Sequence, residues 1–326
     1  MTWRVSALGL LVLVAACASV LVGGTPLSLH DILVALAHPK AAGALNVIVW
    51  QLRLPRVCIA ATVGACLALC GTMLQGMLRN PLVDPYLTGV SAGAAAAIAI
   101  AVLAGVAMPF TPGIGFVAGL SAALLVAALA RRGSGIDATR LILAGISLSA
   151  LFAAVVTLAI VRAQSNDYAS AIVAWLAGSM AGRGWHDLAS AAPYVVAGTV
   201  LSVWAVGPLN ALRIGDVRAR SVGVDVDRAQ WVILAGSSLL AASSVVLAGM
   251  VGFIGLIVPH LARRVVGSDA RVLLPGCVLI GAALCMLADA VCRWIVAPAE
   301  LPIGVLLAFI GVPAFLYLYL YGERVR

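Results

Sequence analysis

The sequence predicts an all-α polytopic membrane protein with about ten transmembrane helices, and three observations carry that reading. Of 326 residues, 63% are hydrophobic, and the mean hydropathy is +1.14. Only 32 residues are charged (20 Lys+Arg and 12 Asp+Glu), and they fall between long apolar runs rather than within them. The runs are continuous and do not alternate with period two. Soluble domains are about 45–50% apolar and about 25% charged, so a water-soluble fold could not hide this much apolar surface. A spanning helix needs about 20 apolar residues and satisfies its own backbone, whereas a barrel strand alternates.

Ten runs qualify: 5–23, 57–78, 90–108, 114–131, 139–161, 189–207, 229–249, 251–262, 272–294 and 303–321. In the first, Arg4 precedes an apolar stretch ending in Val14, Ala15, Ala16 and Cys17, a pattern shared with lipoprotein signals. An uncleaved first span accounts for it equally well, since many spans follow. The eighth run is short, and by length alone suits a re-entrant or buried segment as well as a span. Counting basic residues supports treating it as a span, and leaves open whether it crosses fully. With a cytoplasmic N-terminus and ten alternating spans, 14 arginines fall inside and 6 basic residues outside. The outer six are Lys40, Arg53, Arg56, Arg162, Arg183 and Arg293. That bias follows the positive-inside rule and places both termini in the cytoplasm. It also accounts for the net charge of +8 without nucleic acid.

Two connections are long. Residues 24–56 lie outside and 208–228 inside. The inner one, PLNALRIGDVRARSVGVDVDR, is punctuated by Leu209, Leu212, Val217, Val222 and Val224 and broken by Gly215 and Gly223. It reads as two small helices at the membrane surface that present apolar and charged side chains to a cytoplasmic partner. The plainer reading is a solvated loop.

Several chemistries are excluded or disfavoured. The only lysine, Lys40, follows Pro39, so no Gly-Lys-Ser/Thr phosphate loop exists and the chain cannot hydrolyse ATP by that route. There is no H-E-x-x-H, the four histidines are scattered, and the seven cysteines form no C-x-x-C pair. No enzyme, metal site or cofactor is expected. Asp289 is the clearest intramembrane acid, and Arg293 sits four residues on along the same helix face, so a structural salt bridge is expected. A proton relay would want further acids at depth.

Four segments are more specific: VWQLRLPRV at 49–57, GTMLQGMLRNPLVDPYLTGVSAGA at 71–94, AGMVGFIGLIVPHLARRVVGSDARVLLPG at 248–276 and LADAVCRWIVAPAELPIGVLLAFIGVPAFLYLY at 287–319. Together, in this order, they resemble the FecCD family, the permease subunits of binding-protein-dependent ABC importers for iron–siderophore complexes, haem and vitamin B12. The resemblance implies one transmembrane permease domain over 1–326, of the type II ABC importer kind, with spans 2–5 and 7–10 as inverted repeats. A glycine-rich helix end followed by proline recurs at 71–85 and 249–259, an odd number of spans apart, which suits opposite orientation. The resemblance further implies a homodimer or a pair of related permeases, two cytoplasmic ATPase subunits and a periplasmic or extracellular substrate-binding protein, in the bacterial cytoplasmic (inner) membrane.

Position by position, the resemblance makes Arg53, Arg56 and Arg293 outward arginines that receive carboxylates of the binding protein. It makes 209–223 the coupling connector seated on each ATPase, with Leu209, Asn210, Leu212, Gly215, Arg218, Ser221 and Gly223 as its positions. The path would follow the dimer axis, lined by Ser147, Ser149 and Thr157 and then by segment 165–180. Asp289, Pro259 and Glu300 are expected to be structural. DPYLTGVSAG reads closer to iron-chelate members, while VWQLRLPR and LLPGC read closer to vitamin B12 members. Met73 and Met77, flanking Gln75, suggest packing more than a haem ligand. An iron chelate, siderophore or haem, is therefore the first expectation and a corrinoid the second. An ion-coupled secondary transporter is the rival from another class, with a polytopic enzyme or assembly factor behind it.

Overall fold

The computed structural model describes residues 2–321 apart from 26, 40–42, 107–109, 134, 164–165 and 298, so Lys40, Arg324 and Arg326 lie outside the described residues. Among the described residues the regular structure is helical apart from a hairpin of two residues a side, β1(Arg131–Arg132) and β2(Gly135–Ile136). Its helices are α1(Thr2–Leu21), α2(Leu29–Ala37), α3(Ala44–Asn46), α4(Leu54–Leu78), α5(Val90–Leu103), α6(Thr111–Ala130), α7(Ala138–Arg162), α8(Asn166–Ala177), α9(Trp185–Trp204), α10(Val206–Leu212), α11(Asp216–Ser221), α12(Val226–Ala248), α13(Ile254–Val266), α14(Ala270–Ile295) and α15(Ile303–Tyr321). Ten of these answer to the ten apolar runs.

Helix starts follow from single residues. Asp137, Asp225 and Asp269 cap α7, α12 and α14, each carboxylate accepting a backbone amide two or three residues on. All three lie at the same end of the molecule, where polar side chains can be solvated. Gly215 and Gly223 take φ of 107° and 86°, a region that suits glycine, and this splits the inner connection into α10 and α11.

The centre is built from α4, α12 and α14. Of the apolar stretches of α4 and α12, 78% is buried, against 17% for α7 and α9. Backbones meet closely there. A Cβ added at Gly64 would lie 2.1 Å from the Gly281 carbonyl oxygen, and one at Gly71 would lie 1.9 Å from that of Gly255. Small residues are the usual device for such crossings in lipid. The outer helices leave leucines and valines exposed, including Leu143, Leu151 and Leu158 on α7 and Val196, Val200 and Val203 on α9.

Two halves repeat the same order: α4 to α7, then α12 to α15. In each, a long helix is followed by a break, a short helix and two long helices. Among the described residues, the non-glycine positions with left-handed φ are Arg79 (52°) and Phe253 (67°), one at each break. The first break runs through a 3₁₀ turn, Pro85–Thr88, into α5 of 14 residues. The second runs through 249–253 into α13 of 13 residues. At 1.5 Å per residue neither short helix reaches across a core of about 30 Å. Irregular chain completes the depth, covered by protein: Leu87 O faces Gly145, and Pro85 packs on Gly255.

Two expectations need correction. Run 251–262 is not helical from its start; the helix begins at Ile254. In run 90–108 the helix ends at Leu103, and 104–106 are not helical. The connection 24–56, noted in the sequence only as long and lying outside, contains α2, α3 and a π-helical segment, Val47–Arg53, that runs directly into α4. α2 is held by a full capping box between Ser28 and Asp31, and Trp50 donates its indole N–H to Ala35 O at 3.0 Å.

Candidate functional site

The candidate site has two ends, separated by the length of α4. At one end, α1 finishes, α4 begins, α14 finishes and α15 begins. The last carbonyls of a helix have no partner within it and carry its negative dipole end. Arg53 and Arg293 supply partners to those of α1. Arg53 donates to Val20 O at 2.6 Å and Leu21 O at 3.0 Å, and Arg293 donates to Ser19 O at 2.8 Å and to Val22 O. Both arginines are only 5% exposed.

Asp289, 1% exposed, sits between two guanidinium groups. Arg56 reaches it with a fork, Nε to both carboxylate oxygens at 3.1 Å and Nη2 to Oδ1 at 2.9 Å. Arg293 Nε lies 3.0 Å from Oδ2, the expected pair along one helix face. That second contact is an ion pair rather than a hydrogen bond, because Nε–H is not aimed along it. Arg56 Nη1 also donates to Glu300 Oε1 at 2.8 Å. The fork from Arg56, 233 residues away in sequence, is the stronger pairing and was not expected. A buried carboxylate needing more than one partner was the available signal.

Arg53, Arg56, Arg293 and Glu300 line one open depression of about 340 Å³, together with Thr25, Gly182 and Arg183. All three expected arginines are thus at one mouth. Arg53 and Arg293 differ from the expectation of free outward groups, since their donors are occupied by α1. Arg56 and Glu300 form the accessible pair, with side chains 13% and 39% exposed.

At the opposite end, the connector grips the body with one set of side chains and shows another to solvent. Leu209 and Leu212 are buried, and Leu209 packs over Gly76 of α4. Asn210 donates to Asp269 Oδ1 at 2.8 Å and accepts from the Ala270 amide at 2.9 Å. The Asp269 carboxyl is held below its ordinary range, first by the Arg271 amide and then by Asn210. Arg79 lies 3.4 Å from Asp216, and Ser221 Oγ donates to Arg218 O at 2.8 Å. Facing outward are Arg218 and the apolar Ile214, Val217 and Val222, with Val217 83% exposed.

Pro259 lies inside α13 and has no N–H to give the carbonyl four residues back. That carbonyl, Gly255 O, accepts instead from Gln75 Nε2 at 3.1 Å, and Arg263 holds Gln75 Oε1 at 2.8 Å. Gln75 also donates to Val83 O at 3.3 Å, so it ties the first break to α13. Sequence reasoning noticed Gln75 only as a neighbour of Met73 and Met77, which are both buried in the core.

Along α7, Ser147 and Thr157 lie on the exposed face and Ser149 at its edge, and Thr157 Oγ1 donates back to Ala153 O at 2.9 Å. The turn after α8 is knotted to both neighbours: Ser179 N donates to Ala248 O at 2.9 Å and Ile303 N to Gly178 O at 3.1 Å. The start of segment 165–180 lies outside the described residues.

Comparison with known proteins agrees with this architecture. The model of the FecCD transport family matches residues 11–321. The cobalamin import system permease protein of Halobacterium salinarum is 40% identical over 278 residues, 84% of this chain and 73% of that one. The hemin transport system permease protein of Yersinia pestis is 36% identical, covering 85% of each chain. The Fe(3+)-citrate import system permease protein of Bacillus subtilis is 34% identical over 85% of this chain and 83% of its own. A solved chain described as a metal-chelate type ABC transporter in an inward-facing conformation superposes with a TM-score of 0.84 at 31% identity, covering 99% of this chain and 100% of that one.

Proposed function

The chain belongs to the FecCD transport family, and on that premise we propose that it is the permease subunit of an ATP-driven importer that passes an iron chelate, a siderophore complex or haem, from a substrate-binding protein into the bacterial cytoplasm. One observation carries the reading: the two ends of the molecule bear different surfaces. The end with Arg56 offers a charged mouth. The end with the connector offers Ile214, Val217 and Val222, apolar side chains that the chain itself leaves uncovered.

The charged mouth faces outward and takes an acidic surface of the binding protein, with Arg56 as the presented group, fixed by Asp289, while Arg53 and Arg293 hold the end of α1 beside it. Guanidinium forks suit carboxylates. The connector faces the cytoplasm, where both termini lie, and seats in one of two ATPase subunits that supply hydrolysis. A second copy of the chain packs along the α7 face, so that Ser147, Ser149 and Thr157 line a shared path rather than meet hydrocarbon. Nucleotide-driven closure of the ATPases moves the connector and rocks the helices about that path.

A corrinoid is the second reading for the cargo, favoured by the 40% identity to a cobalamin permease. Reconstitution into proteoliposomes with the ATPase and binding protein tests both. Uptake of a ferric siderophore or haem that requires ATP and the binding protein is expected. Uptake of cobalamin alone would shift the cargo to the second reading. Uptake by the isolated chain along an ion gradient would replace the importer with a secondary transporter.

A further inference from the structure

We propose that Glu300 is a built-in stand-in for the binding protein's carboxylate, held on Arg56 until docking exchanges it. The inference rests on the docking role given above to the charged mouth and goes beyond it by naming what occupies the site beforehand.

Arg56 makes two kinds of contact. One side of its guanidinium is committed to Asp289, which is 1% exposed and shared with Arg293. Breaking that pair would strand a buried charge, so this side is a fixture. The outward corner, Nη1, holds Glu300 Oε1 at 2.8 Å, and that side chain is 39% exposed. On its Glu300 side the pair is open to water, and an ion pair that water and salt can reach contributes little to stability. Exchange of one carboxylate for another at Nη1 is then close to neutral in energy. Arg56 is thus anchored and replaceable at the same time, on different nitrogens.

Charge points the same way. With Glu300 seated, the cluster holds Arg53, Arg56 and Arg293 against Asp289 and Glu300, a formal +1; with Glu300 released, the mouth presents +2. Arg183, on the rim of the same depression, is engaged with Asp187 at 3.1 Å. Glu300 therefore lowers the attraction for any incoming acid until it leaves, which disfavours weak, non-cognate contacts.

The position of Glu300 gives the exchange a consequence. It sits in the link between α14 and α15. The next residue, Leu301, donates its amide to Cys292 O at 3.2 Å, and Ile303 donates to Gly178 O. A Cβ added at Gly304 would lie 2.5 Å from Ala177 O and 2.8 Å from Met250 O. Within four residues of Glu300 the chain thus touches the turn after α8 and the break before α13. Releasing Glu300 frees this junction from α4, so docking at the rim reaches the elements beside the path.

The test uses the permease–ATPase complex in lipid nanodiscs, titrated with its substrate-binding protein. Glu300→Gln keeps the shape and removes the charge at an exposed site, so folding is spared. It is expected to tighten docking by about five- to tenfold and to raise ATPase activity without binding protein. Arg56→Lys, which keeps the charge on Asp289 but loses the fork, is measured alongside and is expected to weaken docking. If Arg56→Lys weakens docking while Glu300→Gln leaves it unchanged or weaker, the stand-in is wrong and the docking site survives. If neither substitution alters affinity, the docking site itself is wrong and the stand-in falls with it.

Discussion

The two ends of this molecule treat charge in opposite ways. At the end with Arg56, three arginines and Asp289 are largely withdrawn from solvent and spent on one another and on the tail of α1. At the connector end, the ion pairs lie nearer the solvent, such as Arg79 with Asp216 and Arg220 with Asp227, while valines stand in the open. A buried charge network resists movement, because losing any member strands another. Exposed pairs over a glycine-hinged helix pair give little resistance. The difference teaches where rigidity and motion belong under the proposed function: a firm mouth to receive the binding protein, and a more compliant connector to be driven by the ATPase.

The comparison breaks most visibly at Asp289. Asp289→Ala leaves two buried guanidinium groups facing each other, and a loss of about 3–5 kcal/mol is expected. Thermal unfolding of the purified complex in detergent measures it. A stability within error of the parent would show that the mouth is not the fixture described here.

A smaller effect is expected at the other end. Gly215 holds φ of 107°, and Gly215→Val imposes strain of about 1–3 kcal/mol on the hinge between α10 and α11. Because the connector is compliant, the fold should persist while ATP-driven uptake falls at least about tenfold. ATP hydrolysis should continue without transport. Uptake at the parent rate would show that connector geometry does not matter for coupling.

How much of this was legible in the sequence depended on distance along the chain. The ten helices could be read because each apolar run is local and long. The pairing of Asp289 with Arg293 could be read because four residues is one helical turn. The connector's two pieces could be read because Gly215 and Gly223 mark left-handed turns. The fork from Arg56 to Asp289 could not, since 233 residues separate the two and only helix packing joins them. The Gln75 contact with Gly255 was equally hidden, although Pro259 announces a carbonyl needing a donor. The expected docking residues came from family resemblance, and the structure adds that Arg53 and Arg293 hold α1 while Arg56 reaches the rim.

The claim that the two ends lie on opposite sides of the membrane, and so do separate jobs, can be tested by side-specific labelling. Cys17 is exposed and Cys58 half-buried, so both are first replaced by alanine. A single cysteine is then placed by Val217→Cys or by Glu300→Cys. With a membrane-impermeant maleimide, Val217→Cys should react only from the cytoplasmic side and Glu300→Cys only from outside. Labelling of both positions from the same side would contradict the account.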